Sequence, residues 1–122
     1  MANIINWFEI PVSDFDRARK FYGEILGSEL ESQQMGPHMM GFFPVEESGV
    51  SGAIVHGEGY QPSDTGTLVY LNGGENLSRI LDRVEPAGGA VVVPKTLITE
   101  EIGFYAIFKD SEGNKIALHS RK

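Results

Sequence analysis

The stretch Ile4 to Gly27, IINWFEIPVSDFDRARKFYGEILG, reads as one half-buried strand, one amphipathic helix and a glycine stop. Successive strand side chains point to opposite faces, so Ile4, Asn6, Phe8, Ile10 and Val12 share one face and Ile5, Trp7, Glu9 and Pro11 the other. An indole beside a carboxylate is an odd composition for plain core, and this second face is the first candidate for function. Ser13 or Asp14 can cap the helix that follows. Phe15, Ala18, Phe21, Tyr22, Ile25 and Leu26 recur at helical spacing, and Gly27 can take the left-handed conformation that stops it.

The same grammar returns in the second half. After Ser28–Gln34, Met39–Phe43 and Val50–His56, all read as strands, the aperiodic run Gly57–Gly66 reads as a linker. Thr67–Asn72 is then a strand, and Asn76 can cap a helix bearing Leu77, Ile80, Leu81 and Val84, closed by Pro86 and Gly88-Gly89. Ala90–Val93, Phe104–Phe108 and Lys115–His119 read as strands, with hairpin turn chemistry at Asp110–Asn114. Sliding the chain by 60 residues sets Trp7 over Thr67, and by 61 sets Gly27 over Gly88 and His56 over Ala117. Residue identity is poor, but the order of elements agrees. The expectation is one α+β domain of two βαβββ modules, 1–56 and 67–122, joined by 57–66, whose sheets pair into a partly open cup around a shared space.

The chain's 122 residues suffice for a real core without staples. With no cysteine there is no disulfide, thiolate metal site or Cys nucleophile, which fits a reducing cytoplasm. The net charge of −7 argues against a nucleic-acid partner. No apolar run is long enough for a membrane span, and MANIINWFEI lacks the basic start and long apolar run of a signal peptide. No P-loop or dinucleotide-binding glycine run is present.

Strand-then-Asp14, Phe21-Tyr22 and Leu26-Gly27, with Asp110-x-Glu112-Gly113-Asn114-x-Ile116 and Gly88-Gly89, resemble the vicinal oxygen chelate superfamily. That superfamily includes glyoxalase I, bleomycin and fosfomycin resistance proteins and extradiol dioxygenases. The resemblance covers nearly the whole chain. It implies a cup in which side chains of strands one, four, five and eight bind a divalent metal, and it implies a homodimer. Those positions fall on Trp7, on or near His56, on Thr67 and on Ala117, so His56 is the one plausible ligand at a family position. A shift of two residues offers only Glu9 and His119. The resemblance therefore implies a glyoxalase-like member with a degenerate metal site and no cofactor, binding a small organic molecule in the cup. The alternative it leaves is a lactoylglutathione lyase type enzyme or a dioxygenase, using nickel, zinc or iron.

The catalytic candidates are Glu9, a general acid or base if desolvated, and His56, which with Glu58 has the i, i+2 spacing of one strand face. Either could instead be structural, Glu9 in an ion pair and His56 at a sheet edge. The ligand-binding candidates are Trp7 as an aromatic wall or as core, Thr67 as a hydroxyl donor, and Tyr70 and Tyr105 on second-module strands. His119 should point toward the cup rim, where it could meet Glu9. Tyr60, in the linker, could lean over the cup mouth. His38, after a Gly-Pro turn, reads as an exposed loop residue or part of a lid.

Overall fold

The computed structural model describes residues 3–122. The elements run β1 (Trp7–Pro11), α1 (Phe15–Leu26), β2 (Glu31–Met35), β3 (His38–Phe42), β4 (Ser51–His56), β5 (Val69–Asn72), α2 (Ser78–Val84), β6 (Ala90–Thr99), β7 (Gly103–Lys109) and β8 (Lys115–Ser120). This is βαβββ twice. The strands form two four-stranded sheets, ordered β1-β4-β3-β2 and β5-β8-β7-β6, and neither closes into a barrel. In each, the first strand pairs in parallel with the last and the rest is antiparallel.

Local chemistry explains the boundaries. Of the two possible caps, Asp14 is the one used: its backbone is extended and its side chain accepts from the Arg17 N–H at 3.1 Å. Gly27 ends α1 at φ 68, the left-handed turn a side chain would resist. α2 departs from the expected Asn76 cap: its N-cap is Leu77, with no side-chain cap bond, and Asn76 Oδ1, just before the helix, instead accepts from the Ser78 N–H at 2.9 Å.

Three strand limits differ from the sequence expectation by three residues or more. β1 begins at Trp7 rather than Ile4, and β2 at Glu31 rather than Ser28. The third is β6, which runs to Thr99 instead of stopping at Val93. Pro94, now inside the strand, cannot donate to a ladder. Yet β6 is a sheet edge, and its register shifts between Val93 and Thr96, so the missing N–H costs no pairing there.

One core joins the two halves. Phe21, Tyr22 and Ile25 of α1 and Leu77, Leu81 and Val84 near or on α2 meet Ile10 and Ile54 of the first sheet. The same cluster contains Leu71, Phe108, Ile116 and Leu118 of the second. The β7–β8 turn reaches back to the first half: Asn114 Nδ2 donates to the Pro11 carbonyl at 2.8 Å, and Glu112 Oε1 accepts from the Ser13 and Asp14 N–H groups at 3.0 and 2.7 Å. Each sheet thus spends one face on the shared core and leaves the other for something else.

Candidate functional site

Register fixes which side chains share the non-core face of the first sheet. Glu9 is paired with Ala53 and Pro11 with Val55 on β4, while Phe42 and Met40 of β3 face Ala53 and Val55 in turn. Paired residues project to the same side. Trp7, Glu9, Phe42 and Met40 therefore lie together, opposite the core residues Ile10 and Ile54, as the alternation along the first strand implies. Trp7 is 45% exposed, and its indole sits 6.1 Å from the Phe42 ring at 57°. These two rings form an open aromatic wall whose floor, Ala53, is small.

Glu9 sits at the edge of that wall with both carboxylate oxygens engaged. Oε2 accepts from the Trp7 indole N–H at 3.3 Å, and Oε1 accepts from the Tyr60 hydroxyl at 2.6 Å. The second distance is in the range of a charge-assisted O–H···O⁻ bond. Holding on to Glu9 keeps the Tyr60 phenol above its ordinary value, so it stays a donor. The Tyr60 ring meets His38 edge to face, 5.0 Å apart at 72°. His38 itself opens β3 and is half-buried, in place of the exposed loop position expected of it. Its Nε2 lies 3.3 Å from the Glu58 carbonyl. A Cβ at Gly57 would collide with the His38 ring, so the tyrosine-bearing connector can lie this close only with glycine there.

On the second sheet, register puts Tyr70, Ala117 and Ile107 in one row and Asn72, His119 and Tyr105 in the next, all on the face away from the core. Tyr70 is 53% exposed. A cleft of about 520 Å³ opens beside Tyr70, Asn72, His119 and Arg121. The connector continues along this sheet, where Ser63 to Leu68 close a smaller pocket of about 240 Å³ against Ile107 and Lys115. Asp64 pairs with Lys109 at 3.3 Å, and the Ser63 N–H donates to Asn114 Oδ1 at 2.9 Å. One connector thus touches the open faces of both sheets.

The sequence-derived candidates separate into two groups. Trp7 and Glu9 come together, and Tyr70, Tyr105 and His119 share a face of the other sheet. His56 does not join Glu9. It pairs with Met39 and shares parity with Ile54, on the opposite side of the sheet, where its Nδ1 lies 3.2 Å from the Val12 carbonyl. Glu58 lies beyond the end of β4, so the supposed i, i+2 pair is not on one strand. His119 meets the Ile102 carbonyl at 2.7 Å rather than Glu9. Thr67 precedes β5 and lines the smaller pocket. Phe42 was not among the sequence candidates. The strand Met39–Phe43 was legible, but only its pairing with β4 tells which of Phe42 and Phe43 faces Trp7.

Residues 4–118 match the family described as the Glyoxalase/Bleomycin resistance protein/Dioxygenase superfamily. No curated protein matches the sequence. Among solved structures, TnmS3, an antibiotic binding protein from Streptomyces sp. CB03234, aligns over 100% of this chain and 99% of its own, with 26% identity and a TM-score of 0.71. The trypanothione-dependent glyoxalase I of Leishmania major aligns over 98% of this chain and 88% of its own, at 19% identity and a TM-score of 0.70. Glyoxalase I from Zea mays aligns over 96% of this chain at 19% identity and a TM-score of 0.69, and the chain spans 44% of that longer protein.

Proposed function

Because this chain belongs to the Glyoxalase/Bleomycin resistance protein/Dioxygenase superfamily, we propose that it binds a small, flat organic molecule against the open sheet faces and sequesters it without a divalent metal. The observation that carries the reading is the aromatic wall of Trp7 and Phe42, with the Glu9 carboxylate fixed at its side. Flat apolar surface with one oriented polar group is the usual make-up of a small-molecule site. The likeness to an antibiotic binding protein along the full length of both chains supports a binding role.

The donor set does not fit the divalent site that the superfamily implies. On the open faces the central strands β4 and β8 offer Ala53 and Ala117, which carry no donor atom. Trp7 has only an N–H to give. Among the described residues, no three His, Asp, Glu or Cys side chains converge as a metal group. Hard or borderline cations need several oxygen or imidazole ligands together, and Glu9 and His119, on the open faces of different sheets, are joined by no third such side chain among the described residues.

In this reading Trp7 stacks on the ligand and Glu9 orients it, while Tyr70, Tyr105 and His119 offer a second contact surface. His56, facing the other way, takes no part. Trp7 and Tyr70 are large apolar side chains left 45% and 53% exposed, which favours a homodimer in which a second copy helps enclose the ligand. The cysteine-free chain suits the reducing cytoplasm, where we place it.

Metal analysis of the purified protein, with a hemithioacetal turnover assay in added nickel or zinc, tests the proposal. The expected result is no stoichiometric metal and no turnover, together with a Trp7 fluorescence change on adding flat aromatic compounds. Stoichiometric metal with turnover that disappears in His56→Ala would overturn it in favour of a metal-dependent lyase.

A further inference from the structure

Resting on that binding role, we infer that Tyr60 occupies the ligand's place on Glu9, so that the preferred ligand is a flat aromatic bearing a hydroxyl group. Glu9 as a carboxylate can only accept hydrogen bonds. The chain itself supplies the donor, a phenol at 2.6 Å, and the phenol comes from the connector between the sheets rather than from a strand. The rest of Tyr60 is held lightly. Its N–H donates to the Gly57 carbonyl at 3.1 Å and its ring meets His38 by an edge. Gly59 and Gly66, either side of it, have φ of 91 and 89, backbone states reached most readily by glycine.

Val55 lies at the centre of this sheet face yet is only 1% exposed. The face is therefore roofed in part, and Tyr60 is a side chain brought to it from outside the sheet. An aromatic ring carrying a hydroxyl is the chemistry that Glu9 and its surroundings already accept. A ligand with the same two features can take the hydroxyl's place on Oε1 while its ring lies against Trp7 and Phe42. A flat ligand with no hydroxyl gains the stacking but leaves Tyr60 where it is. Tyr60 is then a specificity-determining residue: it sets the threshold that an incoming hydroxyl must match.

The test uses 2-naphthol and 2-methoxynaphthalene as a matched pair, with and without a donor. Binding is followed at the indole N–H resonance of Trp7, which is unique because the chain has one tryptophan. Tyr60→Phe keeps the ring and removes the competing hydroxyl, and Glu9→Gln weakens the acceptor. The expected result is about ten-fold tighter binding of 2-naphthol to Tyr60→Phe, the scale of one hydrogen bond to a charged group. The methoxy compound should bind Tyr60→Phe and the unaltered protein alike, and Glu9→Gln should lose the preference for 2-naphthol. If both compounds bind but Tyr60→Phe leaves 2-naphthol unchanged or weaker, this inference is overturned while the binding role stands. If neither compound moves the Trp7 resonance, both fall.

Discussion

The Tyr22 hydroxyl donates to Asp110 Oδ2 at 2.6 Å in the protein interior, across 88 positions of sequence. This bond ties α1 of the first half to the β7–β8 turn of the second. Burial first, and the Asp110 charge next, push the Tyr22 phenol well above its ordinary value, so it remains a donor. Asp110 is otherwise satisfied by the Glu112 and Asn114 N–H groups and by Asn114 Nδ2. Tyr22→Phe should lower unfolding free energy by roughly 1–3 kcal/mol, the cost of a lost buried bond to a charged acceptor. Urea denaturation measures it. Ligand response at Trp7 should be unaltered, since Tyr22 lies on the core side.

Glu112 makes stability depend on acid. Burial works to raise its pKa, but hydrogen bonds from Arg17, the Asp14 N–H, Ser111 and Ser13 outweigh it and hold the carboxyl at about 2, against 4.5 ordinarily. A depressed carboxylate favours the folded state above pH 4.5 and loses that contribution as pH falls through about 2. Urea midpoints should therefore drop across this window. Glu112→Gln should be less stable at neutral pH by about 2 kcal/mol and show a flatter acid limb, because the titrating clasp is gone.

Two glycines with positive φ should answer differently to alanine. Gly103 has φ 106, and a Cβ there would strike the Ser120 carbonyl across the β7–β8 pairing. Gly113 has φ 88 with open space around it. Gly113→Ala meets only the backbone preference and should cost about 1 kcal/mol. Gly103→Ala must also shift backbone, and should cost at least about 2 kcal/mol more. Thermal melts of the two variants, compared side by side, check the order.

Trp7 divides stability from binding. Because its ring is half in solvent and outside the core cluster, Trp7→Leu should change unfolding free energy by less than about 1 kcal/mol. The same change removes the stacking surface and should weaken binding of a flat aromatic about ten-fold. Calorimetric titration beside a denaturation curve reads both.

Much of this was legible in the sequence, and the limits have one cause. Ile4–Gly27 fixed a strand, a helix and a stop by local chemistry: alternation, the Asp14 cap, helical spacing and Gly27. The same alternation correctly set Trp7 and Glu9 apart from Ile10 and Val12. What failed was parity between strands. His56 and Glu58 have the spacing of one strand face, but β4 ends at His56, and the register that pairs Glu9 with Ala53 leaves His56 on the other side. One residue of register flips a face, and nothing local specifies it. His119 lies on the open face, as alternation along its strand implies, but its imidazole meets the Ile102 carbonyl of the β6–β7 turn rather than Glu9, a contact no local pattern specifies. The Tyr60–Glu9 bond spans 51 positions. Sequence could place that tyrosine in a linker near the cup, but not name the atom it meets.

The central claim is a metal-independent site at Trp7, and one titration tests it most directly. The protein is treated with a chelator, and Trp7 fluorescence is followed as 2-methoxynaphthalene is added, then again after stoichiometric nickel. The expected result is saturable quenching with the same dissociation constant in both conditions, and binding about ten-fold weaker in Trp7→Leu by calorimetry. Binding that appears only once nickel is restored would contradict it.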